Sequence, residues 1–512
     1  MPESLDHGDA REYAAYLSKA TKEAGFTFFG QAFALGFGFA ANAVIARLLG
    51  ADVLGVFVLA WTVVMAVSIL TTFGLEGGFV RYISMYVGQG KTAEARSVLA
   101  FGIRFGVVAG VLGTIAIIVL RGPLSNALFK EPRLESALLL IAFAMVPYTL
   151  SRLYGAALRG LKDMKRSILG AELWRRIPRL AVFVLLFYLG FRLRGIVGAA
   201  VVACVVSAAV TARFTRLTGP FLFGRGHRAE IPRREFLGYS SQMLAETATA
   251  FALLHSGKLV LGYFLPSANV GVYNVVTLLA SLATLFTFSF NAIFSPIIAD
   301  VYHRGNVALM ESLLHAITRW IVLLTLPLFT WLLVSGEGVL SIFGGEFVRG
   351  YVALVMLAAA QLVDSTAGSV SSCLAMTKYQ RFNVYNILIM AAVSVGLNIY
   401  LVPRMGIAGA AVATGAAVVL VNVARLVEGK LLLNVLPFDR SSLKIAATAA
   451  VLFGLAFAVR RWVAVPLGWY WTVASVVLCY GLAAGVILLL GIEPEDRLIW
   501  STVLAKLARR AS

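Results

Sequence analysis

Fourteen apolar segments decide what this chain can fold into. Each is close to the twenty or so residues that a helix needs to cross the roughly 30 Å hydrocarbon core of a bilayer. They run approximately over 26–46, 53–75, 98–120, 137–157, 168–190, 195–215, 239–263, 270–293, 320–343, 350–376, 383–402, 407–426, 444–462 and 470–490. Hydrocarbon offers no partner for a backbone N–H or C=O, so such segments cross as helices, which satisfy those groups internally. The pattern predicts an all-α polytopic membrane protein with about fourteen transmembrane helices. Composition agrees, at 60% hydrophobic and 13% charged, where soluble domains run near half and a quarter. Residues 1–23 are polar, so no short signal peptide is expected ahead of the first span. Cys204, Cys373 and Cys479 lie inside apolar segments without metal-ligand spacing, and they read as small packing residues.

The net charge of +19 follows topology before it follows function. With the N-terminus inside, the inner segments hold 26 Lys/Arg and the outer loops 10, and the other 8 of the 44 sit within spans. That bias predicts both termini in the cytoplasm, with multi-pass insertion in the cytoplasmic (plasma) membrane. No basic domain stands outside the membrane, so no nucleic-acid partner is expected.

Residues 216–238 interrupt the apolar sequence with five Lys/Arg and two Pro, and they read as a cytoplasmic linker. The two sides resemble each other. Gly195-Ile-Val-Gly-Ala-Ala-Val201 recurs as Gly406-Ile-Ala-Gly-Ala-Ala-Val412. Gly55-Val-Phe57 is matched by Gly271-Val-Tyr273. The expected organisation is two parallel six-helix repeat lobes plus a C-terminal helix pair: a lobe at 1–215, the linker at 216–238, a lobe at 239–442, and the pair with its tail at 443–512. Parallel repeats of this kind enclose their cargo between them.

Asn42-Ala-Val-Ile-Ala-Arg-Leu-Leu-Gly-Ala-Asp-Val-Leu-Gly-Val-Phe57 and Thr72-Phe-Gly-Leu-Glu-Gly-Gly-Phe-Val-Arg81 resemble the opening of the polysaccharide (O-antigen-type) flippases. Those proteins belong to the multidrug/oligosaccharidyl-lipid/polysaccharide exporter superfamily. The resemblance implies flipping of a lipid-linked oligosaccharide by alternating access, for cell-surface polysaccharide or glycan assembly. Membrane lipids and glycan-assembly enzymes are its implied partners. A drug or organic-cation antiporter of the same superfamily is the second reading, and a membrane glycosyltransferase or polymerase a distant third. No nucleotide-binding loop, metal pair or nucleophile elbow supports an enzyme.

A charged side chain deep in a bilayer normally faces a cavity or a partner. Glu172, Arg175, Arg176 and Arg179 fall on one helical face at offsets of 0, 3, 4 and 7. Glu172 is expected to pair well with one arginine, which leaves positive charge over. Arg104 and Arg152 are placed at comparable inner depth, completing a basic pocket suited to a pyrophosphate. The competing reading has the span-five arginines snorkelling to headgroups. Arg47 and Lys258 either guide the head group outward or anchor helix ends. Asp364, near mid-span with no basic residue within a helical turn, is the candidate for coupling to a proton or sodium ion, and Glu246 is a second. A fixed hydrogen bond to a neighbouring Ser or Thr is the alternative for Asp364. Arg213 and Arg425 are read as snorkelling. No metal or cofactor site is expected.

Overall fold

A glycine breaks each of the two longest helices, at Gly50 (φ 76°) and Gly406 (φ 60°). Both dihedrals lie in the left-handed region, which residues with a Cβ avoid. The expected outer loops there are single-residue kinks. The structure, a computed structural model, describes residues 7–224, 229–230, 232–438, 442–462 and 469–490. The centre of the linker and both predicted cytoplasmic termini lie outside the described residues. Among those residues there is no strand, and each of the fourteen apolar segments falls on helix. Among the described residues, nine stretches are long and apolar enough to cross a membrane. The protein is a multi-pass helical membrane protein.

Two compact units emerge from the packing, Met1–Leu278 with Ile387–Ala417, and Leu279–Asn386 with Val418–Ser512. The first holds α1 (His7–Thr72), α2 (Leu75–Gly88), α3 (Thr92–Gly122), α4 (Pro132–Ile141), α5 (Met145–Gly160), α6 (Met164–Ile168), α7 (Trp174–Tyr188), α8 (Leu193–Thr218), α9 (Arg233–Phe264) and most of α10 (Ser267–Ala280). The second holds α11 (Thr284–His303), α12 (Val307–Ser341), α13 (Tyr351–Ala375), parts of α14 (Gln380–Glu428), α15 (Ser442–Trp462) and α16 (Trp469–Leu490). This division differs from the linker boundary at 216–238, because α9 and α10 pack into the first unit. Phe236 of α9 is fully buried and stacks on Phe79 of α2 at 6.4 Å. Tyr273 of α10 reaches the Ala410 carbonyl and Thr414 Oγ1 of α14, each at 3.3 Å.

α10 meets α1 backbone to backbone. A Cβ on Gly55 would run into the Ser267 carbonyl, and one on Gly271 into the Ala51 carbonyl. These are the two glycines matched in the sequence comparison. Beside the crossing, Arg133 binds Asp52 in bidentate fashion (2.6 and 2.9 Å) and Glu131 (2.8 Å). Ser267 Oγ lies 2.7 Å from Asp52 and 2.9 Å from Glu131. The Arg133 hydrogen bonds hold the Glu131 carboxyl below its ordinary range, against the opposing pull of partial burial and with help from Ser267. Its contribution to stability is therefore present at neutral pH and fades as pH falls through that depressed value.

In the second unit the C-terminal pair packs on α12. Trp331 Nε1 donates to the Thr472 carbonyl (3.0 Å), Ser335 pairs with Ser475 (2.9 Å), and Arg460 binds Glu337 (3.0 Å). Buried Ile298, Met310, Leu314, Val370 and Leu374 join α11, α12 and α13 around one core.

Gly55→Ala is expected to destabilise the protein by about 1–3 kcal/mol, the usual cost of overpacking. Gly396→Ala, where an added Cβ meets nothing within 4 Å, serves as the control. Thermal unfolding of both variants in detergent measures the difference.

Candidate functional site

Arg152 and Arg159 stand two turns apart on one face of α5, with Tyr148 one turn before them. α5 is held by a buried chain of hydroxyls. Ser207 of α8 donates its proton to the Gly170 carbonyl at 2.9 Å. Its 2.6 Å contact with Ser151 of α5 must then be donated by Ser151. Gly170 belongs to a π-helical turn, Leu169–Leu173, between α6 and α7. Such a turn inserts one extra residue into the helix, and it often marks a functional site. Pro178 inside α7 removes a further backbone donor.

These elements surround a cavity of about 510 Å³ within the first unit. Five arginines line it, Arg152, Arg159, Arg175, Arg176 and Arg179, against two acids, Glu76 and Glu172. Glu76 binds Arg152 at 2.6 Å and Arg159 at 3.5 Å. Glu172 binds Arg175 at 3.0 Å and Arg176 at 3.1 Å. The expectation of one good partner for Glu172 is corrected: with i+3 and i+4 neighbours its two oxygens serve both. Arg175 and Arg152 also lie over the Tyr148 ring at 5.4 and 5.7 Å, a cation–π geometry. Arg179 has no acidic partner among the described residues, and its Nε is buried without a hydrogen bond. Gly38 makes room for Arg176, since a Cβ there would stand 2.7 Å from Nη1. Five cations against two anions leave a formal surplus of three positive charges.

The structure brings together four of the candidate residues, Arg152, Arg175, Arg176 and Arg179. Arg104 is not among them. It faces outward on α3 and lines a different cavity with Arg233. Arg47 is exposed, away from the basic cavity. Lys258 is half-buried and donates to Asn274 Oδ1 at 2.9 Å. Glu246 is exposed. Sequence reasoning missed Glu76 and Arg159. Glu76 lies inside the Thr72–Arg81 motif, and the seven-residue step from Arg152 to Arg159 was the available signal.

Asp364 is not unpaired. It accepts from Asn422 Nδ2 at 3.0 Å and faces Arg425 Nη1 at 3.4 Å. Both partners come from α14, so a search within one turn of α13 could not find them. Its partners are an amide and a guanidinium rather than the neighbouring Ser or Thr. Arg425, only 9% exposed, turns inward to this carboxylate instead of snorkelling. Asp364→Asn leaves that guanidinium without its counter-charge and is expected to lower stability by about 3 kcal/mol. Adding Arg425→Gln should recover part of the loss, and a double-mutant cycle in thermal unfolding measures the coupling.

Solved structures share this fold. The lipid II flippase MurJ in an inward closed conformation superposes with a TM-score of 0.68 at 12% identity, over 90% of this chain and 98% of that one. A multidrug resistance MATE family transporter of the MOP superfamily gives 0.66 at 14% identity, over 78% and 94%. In sequence, the chain is 23% identical over 390 residues to a Haloferax volcanii protein named "Probable low-salt glycan biosynthesis flippase Agl15", covering 76% of this chain and 78% of that protein. The polysaccharide biosynthesis protein family matches residues 44–352, more than half of the sequence, and the chain belongs to that family.

Proposed function

We propose that this protein is a flippase for a lipid-linked oligosaccharide, with the pyrophosphate of a polyprenyl carrier seated in the basic cavity of the first unit. The observation that carries the reading is the charge of that cavity, five arginines against two glutamates, with Arg179 left without an acid. Guanidinium groups bind phosphate oxygens in bidentate pairs. Enclosure by apolar helices strengthens each pair, because water screens it less. Glu76 and Glu172 hold four of the arginines in place. An incoming pyrophosphate competes for those same donors and finds Arg179 unengaged by acid.

The printed name of the Haloferax relative supports a glycan cargo, and the family supports a role in polysaccharide assembly. The chain reads as a transporter of the cytoplasmic membrane with both termini inside, working by alternating access. Glycan-assembly enzymes would supply and consume its cargo. The MATE-like fold alone would admit an organic-cation antiporter, but a surplus of cations repels such a substrate.

Binding of a synthetic polyprenyl pyrophosphate sugar to the purified protein tests the reading. Arg179→Gln and Arg175→Gln should each weaken binding about tenfold, the effect of one charge-assisted hydrogen bond. A fluorescent organic cation should not compete. Wild-type affinity in both variants, or displacement by the organic cation, would remove the cavity from the reading.

A further inference from the structure

Arg104, absent from the basic cavity, has a site of its own. Ser97, Phe101 and Arg104 stand at offsets of 0, 4 and 7 on one face of α3. With Arg233 and Glu230 from the end of the linker, they line a cavity of about 520 Å³. Three features point to an anionic ligand. Arg104 is exposed and has no acidic partner among the described residues. The Arg233 guanidinium lies over the Phe101 ring at 5.7 Å, leaving its N–H edges for another partner. Ser97 is only 7% exposed, and its Oγ is buried with no hydrogen bond. A buried hydroxyl ordinarily has a partner. The first part of the linker is held against α3 one residue from Ser97, because Arg96 Nε donates to the Phe221 carbonyl at 2.9 Å.

The same helical face then changes character. Beyond Arg104 it continues through Val108, Val111 and Ile115, which are 61, 45 and 51% exposed, an apolar surface suited to lipid on a membrane-spanning helix. The next basic residue along α3 is Arg121, seventeen residues on (121 − 104). At about 1.5 Å per residue the two arginines are about 25 Å apart, close to the roughly 30 Å thickness of the hydrocarbon core. That spacing suits Arg104, exposed at one end of the apolar stripe, to headgroup depth.

We propose that Ser97, Arg104 and Arg233 bind the phosphate of a membrane lipid whose tail lies along the Val108–Val111–Ile115 face of α3. This goes beyond the flippase reading, since the site is separate from the basic cavity and opens to the surrounding bilayer. The arginines supply charge-assisted donors, Ser97 a neutral one, and Glu230 disfavours ligands of high negative charge at the rim.

The test uses the full-length protein in detergent, titrated with phosphatidylglycerol and read by native mass spectrometry. Arg104→Gln and Arg233→Gln should each weaken retention about tenfold, and Ser97→Ala about threefold. Arg213→Gln, which alters another exposed arginine but no part of this cavity, should change nothing. Binding of the polyprenyl pyrophosphate sugar should be unaffected by Arg104→Gln, so the two proposals fail separately. Equal losses in Arg104→Gln and Arg213→Gln would mean general surface charge and overturn the site. So would undiminished retention in Arg104→Gln and Ser97→Ala together. Displacement of the lipid by inorganic phosphate at equal concentration would assign the cavity to a free anion and overturn the lipid.

Discussion

An arginine inside a membrane protein cannot escape its charge. A lysine can lose its proton in hydrocarbon and a carboxylate can gain one, but the guanidinium keeps its own. Each arginine set among apolar helices must therefore meet an acid, an aromatic face, a wet cavity or a headgroup. Much of the architecture answers that demand. Glu76 holds Arg152 and Arg159, Glu172 holds Arg175 and Arg176, and Asp364 holds Arg425. Tyr148 offers its ring to two of them. Arg104, which has no acidic partner among the described residues, stands where we propose that a lipid phosphate supplies the counter-charge. The helices are placed so that the charges are answered, and the arginine the pairing leaves over, Arg179, lines the cavity.

The all-helical class and the membrane setting were legible in the sequence because hydrophobic length is a local property. The breaks at Gly50 and Gly406 fall in the gaps left between expected segments, 47–52 and 403–406, for the same reason. The Glu172–Arg179 face was equally readable, because offsets of 0, 3, 4 and 7 are set by one helix. Contacts between helices were not legible. Asp364 and Arg425 lie 61 positions apart, and no pattern along either helix announces the other. Arg104 was misplaced for a related reason: its depth could be estimated from its position in the span, but its direction depends on which face of α3 the neighbours cover.

The cavity and the headgroup-level pocket use one chemistry in two solvents. Inside the first unit, acids and tyrosine hold guanidinium groups that would otherwise repel one another, so the cavity stays formed without cargo. On α3 no acid among the described residues pairs with Arg104, and the proposed ligand there is a lipid. The same residue type thus serves an enclosed site and a boundary site, and the counter-charge decides which.

The crossing of Gly55 and Gly271 consists of peptide groups alone. Where two helices meet through side chains, a lesion on one can be offset by a smaller residue on the other, and compensating pairs accumulate as sequences drift. Here neither side has anything left to give up. A genetic screen for second-site suppressors should find none on the opposite helix, because glycine is already the smallest residue available. The two positions are tied to each other without being able to co-vary, so the contact would leave no trace in a search for correlated changes.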